Sequence, residues 1–117
     1  MGPQEKVILT RVNERRKKSI PDNPIQYFEL TPEGTNSMAM FTVLARPGQS
    51  TGPHSLHHGG DENLMVLSGN FEVQLDDRKE KLGPGDSLFI PKGQGHRVTN
   101  IGDVDGECVF VISPPEY

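Results

Sequence analysis

Glycine or proline interrupts this chain about every five residues, and this spacing limits what the chain can fold into. The 117 residues include 13 glycines and 10 prolines, which leave little room for long helices. Short apolar or alternating segments lie between them; in Phe71 to Leu75, for example, every second residue is apolar. The pattern predicts an all-β sandwich or barrel with a single hydrophobic core.

About nine segments are predicted to form strands, and Gly69-Asn70 is predicted to connect two of them as a hairpin. We expect a single domain over residues 1–117, with an N-terminal strand and loop at 1–24, a barrel at 25–113 and a tail at 114–117. The predicted strands are Val7–Val12, Ile25–Leu30, Met38–Ala45, Glu62–Ser68, Phe71–Leu75, Glu80–Leu82, Ser87–Ile90, His96–Asn100 and Glu107–Ser113.

The charge of the chain gives no reason to expect nucleic acid or a membrane surface as a partner, because the formal net charge is -4. Arg11 to Lys18 carries five of the 12 basic residues, but no aromatic residue accompanies them, so we interpret this run as a solvated loop. The chain has no secretory signal and no apolar stretch near 18 residues, which favours a cytoplasmic protein. Cys108 lies in an apolar run, where a buried, reduced thiol is expected.

Histidines and carboxylates cluster in one part of the sequence: three of the four histidines are His54, His57 and His58. Imidazole and carboxylate groups together bind first-row divalent metals. On one straight strand His58 and Glu62 would lie about 13 Å apart, whereas two ligands of one metal lie about 3 Å apart. The chain must therefore fold back between them, and Gly59-Gly60 is the pair best able to do so. His96 opens another strand after a glycine-rich loop and could approach from the opposite side.

Two motifs make the chain resemble the cupins. The second cupin motif, G-x5-P-x-G-x2-H-x3-N, is complete in Gly85, Pro91, Gly93, His96 and Asn100. The first motif, G-x5-H-x-H-x3,4-E-x6-G, is met in part. Its second histidine, its glutamate and its final glycine fall on His58, Glu62 and Gly69, whereas its first histidine falls on Leu56.

The resemblance implies a jelly-roll β-barrel whose metal ligands are His58, Glu62 and His96. With Leu56 in place of a ligand, these three residues resemble the two-histidine, one-carboxylate set of non-haem iron oxygenases. Alternatively, His54 or His57 supplies a fourth ligand, which would suit a closed zinc-like site. A third possibility is that the site holds no metal. Iron, zinc, nickel and manganese all suit such ligands.

We therefore expect a small cupin that binds one divalent metal and a small organic molecule. If the protein is an enzyme, dioxygenase or isomerase chemistry centred on the metal is expected. The alternative is a binding module that senses a small ligand without an essential metal; the chain is also similar to the cupin domains of bacterial helix-turn-helix regulators. The family resemblance implies a homodimer, and an N-terminal edge strand would gain from being covered by a second subunit.

Overall fold

The computed structural model describes residues 6–20, 23–51 and 59–115. These residues form a short 3-10 turn at Val12–Glu14 and nine strands. The strands are β1 (Arg16–Ile20), β2 (Asn23–Glu29), β3 (Ala39–Ala45), β4 (Asp61–Ser68), β5 (Phe71–Gln74), β6 (Lys79–Leu82), β7 (Ser87–Ile90), β8 (Arg97–Asn100) and β9 (Gly106–Ser113). Within these ranges no helix is both long and apolar enough to cross a membrane.

The strands pair in two antiparallel sheets. The six-stranded sheet has the order β1-β2-β3-β9-β4-β7, and the three-stranded sheet has the order β6-β5-β8. A bridge between Ser50 and Thr99 extends the smaller sheet beyond β8. Buried residues of both sheets belong to one hydrophobic cluster, so the sheets face each other across a shared core. The predicted all-β jelly-roll barrel is confirmed.

Alternation along each strand decides which side chains enter this core. On β9 the buried residues are Gly106, Cys108, Phe110 and Ile112, and the residues between them point outward. Phe110 stacks on Phe41 of β3 with a ring-centroid distance of 5.3 Å. The thiol of Cys108 is buried as predicted, and its burial, with the nearby charge of Glu107, raises its pKa to about 12.

The N-terminal part of the chain differs from the prediction. Val7 to Arg11 is irregular, and the first strand lies later, at Arg16–Ile20. The basic run is therefore only partly a loop. Arg16 and Lys18 both form ion pairs with Glu29 on the neighbouring strand β2. The sequence did not predict that β1 pairs with β2 or that these ion pairs form, because both join residues that are far apart in the chain.

The connector Gly69-Asn70 was predicted to close a hairpin, and this prediction is wrong. β4 pairs with β9 and β7, whereas β5 pairs with β6 and β8, so the connector carries the chain from one sheet to the other. Gly69 has φ 84°, and a Cβ built on it would lie 2.8 Å from the Cα of Gly106. The glycine is thus required both by its backbone conformation and by a close approach between two backbone segments.

Asn100, the last residue of the second motif, fastens two loops to the end of β8. Its amide nitrogen donates to the carbonyl oxygens of Ala45 (2.9 Å) and Val104 (3.0 Å), and its side-chain oxygen accepts from the backbone N–H of Gly102 (2.8 Å). The side chain is buried. This confirms the interpretation that Asn100 bonds to backbone groups, and it explains why an amide with both donors and an acceptor stands here.

We predict that Asn100→Asp destabilises the fold by about 2–4 kcal/mol, because it replaces the donating amide by an oxygen that faces two carbonyl oxygens. Urea unfolding monitored by circular dichroism measures this change in free energy. Asn63→Ala is the control, since Asn63 is an exposed residue of β4, and we expect it to change stability by less than about 0.5 kcal/mol. Equal effects of the two substitutions would contradict the role given to Asn100.

Candidate functional site: a buried glutamate–histidine pair

Glu62 enters the barrel from the start of β4. The chain bends at Gly59 and Gly60, and β4 begins at Asp61; the predicted fold-back between His58 and Glu62 is not tested, because His58 lies outside the described residues. A Cβ on Gly60 would lie 2.2 Å from the carbonyl oxygen of Pro114, so only glycine allows the two segments to approach this closely. In the alternation of β4, Asp61 points outward and Glu62 inward, where Glu62 is 2% exposed.

His96 reaches the same interior from the opposite sheet. It directly precedes β8, after the loop from Pro91 to Gly95 in which Gly93 has φ 83°. The imidazole is 3% exposed, and its Nδ1 lies 3.2 Å from the carbonyl oxygen of Gln94. With a proton on Nδ1, the ring donates to this carbonyl and directs its other nitrogen, Nε2, into the barrel.

The two motif residues meet inside the barrel: Nε2 of His96 lies 2.9 Å from Oε2 of Glu62. Burial alone would lower the pKa of His96, but the interaction with Glu62 and the Gln94 carbonyl outweigh it and raise the pKa above its ordinary value of 6.5. The site therefore combines a carboxylate and an imidazole that water barely reaches and that attract each other strongly.

The third predicted ligand, His58, lies outside the described residues, as do His54, His57 and Leu56. The described residues on either side of this segment are held close to the pair. Thr51 exchanges two hydrogen bonds with Val98 of β8, at 2.9 and 3.1 Å, and Gly59 stands shortly before Glu62. Across residues 6–20, 23–51 and 59–115, no group of three histidine, cysteine or acidic side chains is arranged to hold a metal.

The pair itself fits a divalent metal. Two ligands that each bind one ion at about 2.0–2.2 Å lie about 3 Å apart, which matches the 2.9 Å between Nε2 and Oε2. A metal-ligating histidine also donates its second N–H to a carbonyl or carboxylate, and Nδ1 of His96 has the Gln94 carbonyl for this purpose. Glu62 and His96 would thus supply two ligands, and the sequence offers the third in His58.

Sequence reasoning missed two residues beside this site. Tyr27 of β2 is buried on the inward face, and burial together with the charge of Glu62 raises the pKa of its hydroxyl, against the lowering effect of Asn23. The side-chain amide of Asn23 lies 3.5 Å from this hydroxyl and donates to the carbonyl of Thr51 at 2.9 Å. The alternation of Ile25, Tyr27 and Glu29 would have placed Tyr27 inward, but no local signal connects it to Glu62.

A cleft of about 250 Å³ opens between the end of β7 and the turn after β5. Its lining includes Ile90, which is paired with Glu62, and Gln94, whose carbonyl contacts His96. The cleft thus borders neighbours of the pair, whereas neither Glu62 nor His96 lines it. It is large enough for a ring-sized molecule but smaller than a typical drug-sized site. The other lining residues are Leu75, Asp77, Arg78, Leu88, Phe89 and Pro91.

An antiparallel barrel with a glutamate and a histidine buried between its two sheets defines the class of protein. The family model of the cupin domain matches residues 41–112, which include both motifs' glutamate and histidine. The chain belongs to the cupin family.

The chain is also similar to several individual proteins. It is 39% identical to the protein SchB of Streptomyces halstedii over 72% of this chain and 60% of SchB. It is 32% identical to the tetracenomycin polyketide synthase protein TcmJ of Streptomyces glaucescens over 73% of this chain and 58% of TcmJ. The chain thus spans less than two thirds of each of these relatives. The polyketide cyclase RemF of Streptomyces resistomycificus shares its fold, with a TM-score of 0.75 at 22% identity over 93% of this chain and 82% of RemF.

The contact between Glu62 and His96 predicts energetic coupling in chelator-treated protein. A double-mutant cycle with Glu62→Ala and His96→Ala should give a coupling free energy of about 1–3 kcal/mol near pH 6, measured by urea unfolding. Since the pKa of His96 is raised in the folded state, this coupling is complete below the ordinary value of 6.5 and is lost as the pH rises through the raised pKa.

The matched control is a cycle with Asn63→Ala and His96→Ala. Asn63 is the neighbour of Glu62 on β4 but points outward, so its substitution should be additive with that of His96 within about 0.5 kcal/mol. Additivity in the Glu62 cycle as well would show that the observed contact has no energetic importance.

Proposed function

We propose that this cupin binds one divalent metal ion through His58, Glu62 and His96 and uses it to act on a small organic molecule. The observation that supports this proposal best is the buried 2.9 Å contact between Nε2 of His96 and Oε2 of Glu62. A charged carboxylate and an imidazole inside a hydrophobic barrel destabilise the fold unless a partner or a metal compensates for their lost hydration. Such a pair favours a role in binding over a role in packing.

The residues around the pair define what each would contribute. The Gln94 carbonyl orients His96, and the fold-back at Gly59-Gly60 sets the position of Glu62. His54 or His57 would complete the set if the site takes four protein ligands. When bound, iron, zinc, nickel or manganese would supply a Lewis acid or a site for dioxygen, as in a metal-dependent isomerase or oxygenase. Glu62, as a ligand, would not serve as the general base.

The adjoining cleft suggests the chemistry of the substrate. Its lining combines the aliphatic side chains of Leu75, Leu88 and Ile90 with the polar groups of Asp77, Arg78 and Gln94. A ring-sized molecule that carries both apolar and oxygen-bearing groups would fit such a surface. The names of TcmJ and RemF connect those two proteins to polyketide chemistry, and polyketides are oxygen-rich carbon skeletons. We therefore propose an oxygenated small organic molecule as the substrate.

The first test is metal content per chain on untagged protein. We expect about one equivalent in the parent and a loss of at least about tenfold in affinity for Glu62→Gln, for His96→Ala and for His58→Ala. Glu107→Gln is the matched control, because it makes the same chemical change at a residue of β9 that points away from the barrel interior. Retention of metal by this control would show that the loss of metal in the other variants is specific to residues inside the barrel.

A parent protein that stays free of metal after anaerobic loading with Fe(II), Zn(II), Ni(II) and Mn(II) would refute the proposal. If the parent does bind metal, the metal content of His54→Ala and His57→Ala decides how many protein ligands the site has. A loss of metal in either one supports a closed site with four ligands, whereas full retention in both supports the open set of His58, Glu62 and His96.

A second candidate function is a binding module that takes a small ligand without an essential metal. Its specific support is Leu56 at a position where the cupin motif has a histidine, together with the direct contact by which Glu62 and His96 already compensate each other. In this case a metal-free parent should still gain thermal stability from a small molecule in a screen of oxygenated aromatic compounds. Product formation that depends on His96 would instead identify an enzyme.

A further inference from the structure

Tyr27 carries a hydroxyl group at a position where packing needs only its ring. The residue lies on the inward face of β2 and is 9% exposed. Its ring belongs to the hydrophobic cluster of the core, and its centroid lies 6.1 Å from that of Phe41. A phenylalanine could make the same contacts without the free-energy cost of removing a hydroxyl group from water. The hydroxyl group thus favours a role beyond packing.

The hydrogen bonds of Asn23 determine where the hydroxyl proton of Tyr27 can point. The side-chain oxygen of Asn23 accepts from the backbone N–H of Ile25 at 3.0 Å, and this bond fixes the orientation of the amide. The amide nitrogen therefore donates to the carbonyl of Thr51 at 2.9 Å and faces the hydroxyl oxygen of Tyr27 at 3.5 Å. Because two donors do not bond to each other, the proton of Tyr27 is directed away from Asn23.

This proton has no acceptor in the part of the chain that the structure describes. Within residues 6–20, 23–51 and 59–115, the hydroxyl group of Tyr27 contacts a hydrogen-bonding group only at Asn23, where its oxygen is the acceptor. A buried donor whose proton is not used lowers the stability of the fold. A ligand that supplies an acceptor recovers this free energy on binding.

Tyr27 and Glu62 both point into the barrel from the six-stranded sheet. Burial and the charge of Glu62 raise the pKa of Tyr27 against the effect of Asn23, so the hydroxyl group stays protonated and can donate at neutral pH. The influence of a charge falls with distance, which places the hydroxyl group in the same part of the interior as the carboxylate. Since the two are not bonded to each other, the hydroxyl group can bond to a third group there.

We propose that Tyr27 is a ligand-binding residue of the candidate site, where its hydroxyl group donates a hydrogen bond to an oxygen atom of the bound small molecule. The inference rests on the proposed function, since this molecule is the one that binds beside Glu62 and His96. A site with such a buried donor favours ligands that present an oxygen acceptor over analogues of the same size that lack it. Tyr27 thereby determines part of the specificity of the site.

The charges beside Tyr27 select between two kinds of oxygen acceptor. In metal-free protein the negative charge of Glu62 disfavours an anionic oxygen nearby, so the expected acceptor is a neutral carbonyl oxygen. A divalent cation at the pair would reverse this preference and favour a phenolate or enolate oxygen. The donor is the same in both cases, so the inference can be tested with and without metal.

Titration with 4-nitrocatechol tests this inference, because it is a ring-sized molecule with two oxygen acceptors and a visible absorbance that responds to its surroundings. We expect Tyr27→Phe to raise its dissociation constant at least about fivefold in metal-loaded protein, since the substitution removes only the donating hydroxyl group. The affinity for 1-methylimidazole should stay within about twofold of that of the parent. This ring binds a metal through its one free nitrogen and then offers no acceptor to Tyr27.

Thr99→Val is the matched control, because it also deletes a hydroxyl group, but on the side of β8 that faces away from the barrel interior. It should leave both affinities unchanged. Thermal melting and metal content of each variant verify that the barrel is intact. Equal affinities of the parent and Tyr27→Phe for 4-nitrocatechol would overturn the inference, as would a parent that binds this probe neither with metal nor without it.

Metal content distinguishes a failure of this inference from a failure of the proposed function. A metal-free parent in which Tyr27→Phe still weakens 4-nitrocatechol binding would refute the metal site and support the role of Tyr27. A metal-containing parent in which the substitution has no effect on this binding would do the reverse. If the hydroxyl group bonds instead to a protein group beyond the described ranges, Tyr27→Phe will lower the melting temperature of ligand-free protein and leave the probe affinity unchanged, which also overturns the inference.

Discussion

The structure depends on how β4 is paired. This strand lies between β9 and β7. Its pairing register determines which of its residues enter the barrel and which face outward. Glu62, Leu64 and Val66 are thereby buried, while Met65 and Leu67 are turned to the outside. A shift by one residue would place the glutamate in water and the methionine in the core. The burial of Glu62 beside His96 is therefore a consequence of this register.

Burial of Glu62 and His96 has an energetic cost that shapes the rest of the site. Neither side chain is more than 3% exposed, so each relies on protein groups rather than water for its stabilisation. The 2.9 Å contact between them and the carbonyl of Gln94 supply part of this stabilisation. A bound cation would supply more, since it attracts the carboxylate and accepts the imidazole lone pair. This is the physical reason why a pair of this kind in a small barrel indicates binding.

Membership of the cupin family accounts for the barrel and for the positions of the motif glycines, but it does not decide the reaction. SchB and TcmJ span more residues than this chain matches, and the structural likeness to RemF concerns the fold. Around the pair this chain has Leu56 in place of a motif histidine, Tyr27 beside the pair and the cleft at Ile90. We expect the choice of ligand to depend on these residues.

The sequence by itself determined the strand content and the single core, and only its resemblance to the cupins implied that Glu62 and His96 meet. Alternation and turn residues act over a few neighbours, and the spacing in the second motif runs unbroken from Gly85 to Asn100. Only the tertiary structure decided that Arg16–Ile20 rather than Val7–Val12 pairs with β2, and that Gly69-Asn70 joins two sheets. It also decided that Tyr27 lies near Glu62 and that Gln94 orients His96. The physical reason is that strand partners are chosen by long-range burial and hydrogen bonding, which no local pattern of residues records.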